Sequence, residues 1–407
     1  MPTVEGALAF VPAPLPKSVA LTGSTLHFLT AAEHAVGELS GLTARLVNPY
    51  LIGSPLLQRE AILSSRIEGT YATAEQLAMF EAGTPPADER QQSDTLEVLN
   101  YVEAMRLGLQ TLPKLPVSLR LIRMLHARLL QGVRGESQGP GEFRSSQNYI
   151  GRPADGIRGA RFVPPPVPEM LGALDDLEKY LHLEPHGVES GPDSDPDVAP
   201  LLVRLALTHY QFETVHPFRD GNGRVGRLLI PLLLISHGRL RAPLLYMSGY
   251  FERNRKAYND HMLRVSHTGE WRPWLDFFLR GVVESARESA ELVTALLELH
   301  AGWQGRFHSA RSSALLLKLV DDLLRRPSMT IGQAAKLLGV TPATASANIG
   351  KLVQAGILTE RTGRKRDQVF VAMDILRIVE DAHRGPAIPG PDAEDARRAR
   401  TGGLPAR

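Results

Sequence analysis

A chain of 407 residues with 46 basic and 44 acidic side chains and a net charge of +2 is long enough for two or three domains and a large core. That balance demands neither nucleic acid nor an acidic partner. The absence of cysteine excludes disulfides and thiolate metal sites and fits a reducing compartment. No basic stretch followed by an apolar run opens the chain, and no apolar segment reaches the roughly 18 residues of a membrane span. The expectation is a soluble, cytoplasmic protein with no membrane partner.

Residues 1–17 are proline-rich and read as extended. Thr22 to Val47 predicts a helix, with Leu26, Leu29, Val36 and Leu39 near helical spacing. Ser54-Pro55 reads as the start of a second helix, a cap followed by proline at the first helical position. Leu56, Leu63 and Ile67 give it one apolar face. It runs through Ser64-Ser65-Arg66-Ile67-Glu68-Gly69, where Gly69 can end it. Glu68 opposes the helix dipole there, and the plain reading is an exposed helix-end glutamate. Asp94 to Leu109 and Val117 to Leu130 read as further helices. After GPGEFRSSQNYI (Gly139 to Ile150), the segment Ile157 to Val163 predicts a short hairpin turning at Arg158-Gly159. The prolines from Pro164 to Pro168 would stop further pairing. An exposed strand edge can bind an extended peptide through main-chain hydrogen bonds; the alternative is an ordinary surface turn.

His186 to Pro200 reads as a mobile loop, rich in Gly, Pro, Ser and Asp. Leu201 to Phe212 is the next helix, with Leu201, Leu205 and Phe212 on one stripe. It delivers the chain to HPFRDGNGRVGR, His216 to Arg227. Pro217 disfavours helical geometry at His216, so the imidazole sits on a loop, where it can take a proton near neutral pH. Asp220 offers the hard oxygen that Mg²⁺ prefers. Gly221 and Gly223 would let a phosphate approach the backbone N–H groups. The apolar run Leu228 to Ile235 reads as a helix, which places those groups at its positive end. Arg224 and Arg227 lie on one side of its first turn. A turn before a helix is the bland alternative, but the density of mutually consistent residue types argues for an anion cradle with a base beside it. Pro231 interrupts the hydrogen-bond ladder of that helix.

Leu244 to Tyr258 is an amphipathic helical segment. Trp271 to Leu297 reads as a long helix with Trp274, Phe277 and Phe278 in the core. From Pro327 the pattern changes. Thr330 caps a helix, Ile331 to Leu338; Gly339 turns the chain; Thr341-Pro342 starts a helix to Ala355. Ile357 to Val371 predicts a two-stranded wing with Arg361, Arg364, Lys365 and Arg366 at its tip, suited to phosphates. The helix TPATASANIGKLVQ carries only Lys351 as a charge, so DNA contact and protein contact, a homodimer included, both stay open. From Ala387 the tail reads as disordered.

His216, Phe218, Asp220, Gly221, Asn222, Gly223, Arg224 and Arg227 fit every fixed position of HxFx(D/E)GNGRxxR. The chain therefore resembles the Fic family, which moves AMP from ATP onto hydroxyl side chains of target proteins. The resemblance implies ATP and Mg²⁺ at this loop, with Asp220 on the metal and His216 as the base for a target Ser, Thr or Tyr. Gly221, Asn222, Gly223, Val225 and Gly226 would line the nucleotide, and Arg224 and Arg227 would clamp its β- and γ-phosphates. Ser64, Glu68 and Gly69 resemble the family's inhibitory motif, (S/T)xxxE(G/N), whose glutamate pairs with the second arginine, here Arg227. GEFR resembles the segment before the target-binding flap, so a target would dock along Ile157–Val163. Tyr250 and Asn254 are the candidates for the base pocket; where the family often has paired tyrosines, this chain has Tyr258-Asn259. The region from Pro327 resembles a winged helix.

The expected fold is all-α, a mainly helical Fic fold with a short β-hairpin flap, plus a small C-terminal winged helix-turn-helix domain. The expected divisions are 1–110 with the inhibitory helix, 111–300 catalytic, 301–385 winged helix and 386–407 tail. Rival readings are phosphoryl transfer or removal of AMP on the same loop, and a DNA-binding regulator whose Fic region senses nucleotide. Retention of Gly223 favours AMP transfer over the phosphotransferase branch.

Overall fold

The computed structural model describes residues 1, 3, 6–44, 49–183, 198–307 and 313–381. The helices are α1 (Gly23–Ala44), α2 (Pro49–Ile67), α3 (Ala74–Glu81), α4 (Glu89–Thr111), α5 (Leu119–Leu129), α6 (Val167–Leu181), α7 (Leu201–Val215), α8 (Asn222–Ser236), α9 (Ser248–Arg253), α10 (Arg255–Thr268), α11 (Arg272–Gly305) and α12 (Ser313–Arg325). Strand β1 (Ser328–Thr330) leads into α13 (Ile331–Leu338) and α14 (Pro342–Gln354), then β2 (Thr359–Glu360), β3 (Val369–Val371) and α15 (Met373–Asp381). The fold is all-α with a small C-terminal winged helix-turn-helix unit, and no helix among the described residues is long and apolar enough to cross a membrane.

Local chemistry sets many of the element ends. Thr73 and Gln76 form a reciprocal capping box on α3, and Thr330 and Gln333 form another on α13. Asp88, Ser118 and Thr341 cap α4, α5 and α14 through side-chain oxygens. Gly69, at φ +87, ends α2, and the Thr70 N–H reaches back to the Ser65 carbonyl. Gly339, at φ +70, makes the turn between α13 and α14.

One apolar cluster runs from α1 to α15. Leu29, Ala32, Val36 and Leu39 of α1 are buried in it, and α1 packs along α11, where Trp274 and Phe278 are fully enclosed. α7 and α8 pack on each other at its centre, so the loop joining them is braced from both sides.

Several expectations change. α2 begins at Pro49, not at Ser54-Pro55. Pro49 fills the first helical position, Pro55 lies inside the helix, and the Ser54 hydroxyl donates to the Arg325 carbonyl instead of capping. Nor does α2 have only one buried face: nearly every residue from Ile52 to Ile67 is enclosed, because α4, α9, α11, α12 and α15 all pack on it. The wing strands β2 and β3 form as expected, but β1 joins them in the antiparallel order β1-β3-β2. α11 runs unbroken through the expected division at residue 300. The mobile-loop reading of His186–Pro200 and the disordered-tail reading fall almost wholly, and wholly, outside the described residues.

The flap is also different. No hairpin forms within Ile157–Val163. Ile157–Gly159 is a 3-10 turn, preceded by another at Pro153–Asp155. One antiparallel bridge, Ile150 to Phe162, closes the loop. Gly156 at φ +59 and Pro153 favour tight turns over extended pairing. On the far side of this segment the Phe10 N–H donates to the Val163 carbonyl at 2.9 Å. The N-terminal segment thus covers the edge expected to receive a target.

Candidate active site

The loop between α7 and α8 is shaped by residues distant in sequence. His216 ends α7 in the left-handed region, at φ 48 and ψ 61, and Pro217 directs the chain out of the helix. Asn222 folds back on Phe218: its Oδ1 accepts the Phe218 N–H at 2.8 Å, and its Nδ2 donates to the Phe218 carbonyl at 2.8 Å. Its side chain therefore holds the loop, where a phosphate contact was expected. The Phe218 ring is fully buried and stacks on His126 with centroids 3.7 Å apart. His126 accepts the Gly141 N–H at Nδ1, so its proton sits on Nε2, 3.0 Å from the Asp220 carbonyl. Burial pushes its pKa down to about 4, which keeps this neutral, bridging form. Arg144, of the GEFR segment, donates to the His216 and Pro165 carbonyls, and Asn148 donates to the His216 and Phe218 carbonyls. His126, Arg144 and Asn148 were not singled out as site residues; GEFR was the one signal that pointed to any of them.

The His216 ring is held by one nitrogen. Its Nδ1 lies 3.2 Å from the Glu213 carbonyl, which only accepts, so Nδ1 carries the proton. Nε2 is then the unprotonated nitrogen, and the residue lines a cavity of about 250 Å³. Burial pushes the imidazole pKa down to about 4. Asp220 accepts the Gly221 N–H at 2.6 Å and keeps 48% of its side chain exposed. A single accessible carboxylate suits Mg²⁺ held mainly by the phosphates of a nucleotide, and no larger metal-ligating cluster occurs among the described residues.

The two arginines diverge instead of sharing one open face. Arg224 meets Glu97 at 3.2 Å and Asp220 at 3.6 Å, and Glu97 also takes Arg134 and Thr70. Arg227 is 2% exposed; it donates through Nε to the Ser64 hydroxyl at 2.8 Å and through Nη2 to Glu68 Oε1 at 2.6 Å. Burial works against the ionised Glu68 carboxyl, but Arg227 holds its pKa below the usual range. A Cβ on Gly223 would collide with Glu68 Oε1, and one on Gly226 with Glu213 Oε1. These two glycines make room for carboxylates. Val225 is fully buried in the core, so its side chain is not presented to a nucleotide.

The base-pocket candidates are not brought to the cavity. Tyr250 is 3% exposed and packs 4.9 Å from Phe277. Asn254 donates to the Tyr250 carbonyl at the joint between α9 and α10. The helix breaks at Asn254, with φ −111 and ψ 31, and α10 turns Tyr258, Asn259, Met262, Leu263 and Ser266 into the cavity wall. Ile150, Arg161 and Phe162 also line it, and Arg161 is tied to Asp260 of α10 at 2.6 Å.

Comparison with known proteins places these parts in one context. The model described as Fic/DOC family N-terminal matches residues 26–110, the Fic/DOC family model matches 116–234, and a helix-turn-helix domain model matches 315–361. The protein adenylyltransferase Fic of Drosophila ananassae is 27% identical over 212 residues, 52% of this chain and 37% of that protein. Its counterpart in Drosophila virilis is 28% identical over 212 residues, 52% of this chain and 38% of that protein. The chain thus matches less than two-fifths of the length of these curated relatives. A Fic family protein from Desulfovibrio desulfuricans G20 superposes over 88% of this chain and 98% of its own, with a TM-score of 0.55 and 18% identity, a likeness of fold.

Proposed function

The chain belongs to the Fic/DOC family, and on that premise we propose that it is an ATP-dependent protein adenylyltransferase held in check by Glu68. The observation that carries the reading is the unprotonated Nε2 of His216 in the same cavity as Arg227, beside the N-terminus of α8. The backbone N–H groups of that first turn attract phosphates. Arg227 gives a bidentate anion contact once released from Glu68. Asp220 would hold Mg²⁺, which neutralises phosphate charge when bound. A target hydroxyl placed near His216 loses its proton to Nε2 as its oxygen bonds to the α-phosphorus. The bond from that phosphorus to the β-phosphate oxygen breaks, and pyrophosphate leaves. Positioning and charge neutralisation supply most of the acceleration.

Autoinhibition follows from the Glu68–Arg227 pair, since a carboxylate on that guanidinium excludes and repels the γ-phosphate. A target peptide docks on the 149–151 side of the flap, because the Val163 side already pairs with Phe10. A second role, DNA contact by the winged helix, draws support from the exposed Arg364, Lys365 and Arg366. The deciding experiment supplies ATP labelled at the α- or the γ-phosphate to Glu68→Gly protein and a cell lysate. Label from the α-position alone, lost with His216→Ala, is the expected result. Label from the γ-position would mean phosphoryl transfer. Release of AMP from modified protein, with no labelling, would mean hydrolytic removal of AMP.

A further inference from the structure

The carbonyls of His216, Pro217 and Phe218 all accept hydrogen bonds from one distant segment. Arg144 Nε donates to the His216 carbonyl at 3.0 Å, and the Arg144 N–H donates to that of Pro217 at 2.8 Å. Asn148 Nδ2 donates to His216 at 3.3 Å and to Phe218 at 3.0 Å. The far end of the same guanidinium donates through Nη2 to the Pro165 carbonyl at 2.5 Å and through Nη1 to the Ser146 carbonyl at 3.2 Å. Pro165 stands between Pro164 and Pro166, a run without N–H groups, so its carbonyls turn to side chains. Gln147 Nε2 takes that of Pro164 at 2.8 Å. Arg144 thus bridges the loop bearing His216 and the segment that follows the flap.

Filling space alone would need no arginine. Arg144 is 2% exposed, and no carboxylate meets it among the described residues; burial alone pushes its pKa down to about 10. A buried cation met only by neutral carbonyls costs more than an apolar side chain of similar length. What arginine offers is a rigid fork with donors in several directions. His216 has a use for that fork. It is one of two non-glycine residues among those described with positive φ, at 48, a conformation that side chains disfavour. Its ring is tied at Nδ1 to the Glu213 carbonyl, one turn back on α7, and its main chain is tied at the carbonyl by Arg144. The first contact sets which ring nitrogen is free. The second sets where the residue stands against the flap.

We propose that Arg144 is a positioning residue for transfer: by joining the His216 and Pro165 carbonyls, it fixes the base relative to the segment beside which a target docks. The assignment rests on the transfer reading above, and its test separates the two. Full-length Glu68→Gly protein serves as the parent, with Arg144→Met and Arg144→Lys made in it. Self-labelling over a range of α-labelled ATP concentrations gives the rate at saturation and the half-saturating concentration. Calorimetry gives ATP affinity and the fraction of chains that bind. Arg144→Met is expected to label roughly a hundredfold more slowly at saturation, the scale of a 1 Å displacement of a reacting group. Its half-saturation, affinity and binding fraction should stay within about twofold of the parent. Arg144→Lys keeps the charge and one donor group but cannot span both carbonyls, so its rate should lie between the two. Where Arg144→Met does not fold, Arg144→Lys alone decides, by a lower rate at unchanged affinity. Undiminished labelling by either variant would overturn the assignment. A rate that falls only as far as the binding fraction falls would also overturn it and leave Arg144 with a part in folding alone. If Glu68→Gly protein binds ATP and labels nothing, the transfer reading itself falls, and this assignment with it.

Discussion

Removing the Glu68 carboxylate should switch transfer on. Arg227 donates to Glu68 Oε1 at 2.6 Å, while Ser64 offers both its hydroxyl and its carbonyl to the same guanidinium. After Glu68→Gly those two Ser64 contacts still orient Arg227, so little reordering opposes phosphate binding. A hydrogen bond to a charged group is worth about 1.5–3 kcal/mol. The Glu68 side chain is 38% exposed, and solvent screening favours the lower end, about 1.5 kcal/mol. At about 1.4 kcal/mol per factor of ten, that is roughly a tenfold rise in transfer. Relief of repulsion between Glu68 and the γ-phosphate adds to it, up to about a hundredfold. Glu68→Gln keeps the size without the charge and should fall between parent and Glu68→Gly. Arg227→Ala should be inactive even when combined with Glu68→Gly. Self-labelling with α-labelled ATP across these variants is the assay. Equal labelling of parent and Glu68→Gly, or labelling by the double variant, would refute the reasoning.

His216→Ala should leave nucleotide affinity intact and lower transfer by about 10²–10⁴, the usual worth of a general base; strong residual labelling would place the base elsewhere. Because burial pushes the His216 pKa down to about 4, the proton-accepting form persists as pH falls, and transfer should stay level from pH 8 to about 5, whereas an ordinary histidine would lose it near 6.5. A profile with a midpoint near 6.5 would contradict the buried geometry. Asp220→Ala should weaken ATP binding with Mg²⁺ far more than without it, read from paired titrations; an unchanged metal dependence would remove Asp220 from that role. Gly281→Ala should destabilise the fold by about 1–3 kcal/mol, since a Cβ there comes within 2.5 Å of the Tyr250 ring and 2.7 Å of Met247; a denaturant midpoint equal to the parent's would refute it. Alanine at Arg364, Lys365 and Arg366 together should reduce retention of DNA at low salt and flatten its salt dependence, and no retention by the parent would assign the wing to protein contact.

What could be read in advance was mostly local. His216, Asp220 and the arginines sit within one short segment whose residue types agree, and Thr330, Gly339 and Thr341 end their helices through neighbours a few residues away. Glu68 meets Arg227 across 159 residues, and only the resemblance of a short pattern foretold that pairing. The failures depended on tertiary arrangement. Tyr250 and Tyr258 both fit a helical repeat, and the break at Asn254 decides which faces the cavity. Inside the motif, the Asn222 side chain also holds the loop, the Val225 side chain fills the core and Gly226 clears space for the Glu213 carboxyl, and no spacing showed this. His126 and Asn148 act on backbone carbonyls 94 and 68 residues distant, and no spacing rule joins them to the loop. The flap was expected to turn as a hairpin at Arg158-Gly159, whereas Ile157–Gly159 winds into a 3-10 turn after Gly156 at φ +59.

Like a beam let into a wall, α2 has almost no outside. α4, α8, α9 and α11 pack on it, and so do α12 and α15, fastened where the Ser54 hydroxyl holds the Arg325 carbonyl. Further tethers run from the Ser328 hydroxyl to the Ala78 carbonyl and from Arg361 to Glu75. A chain cut after α11 would lose α12 and α15 and open part of the helix bearing Glu68 to water. Any change in its labelling would report on that loosened beam as much as on a missing partner. Measurements on a chain cut there would therefore describe a different molecule, and the role of Glu68 is weighed with α12 to α15 in place.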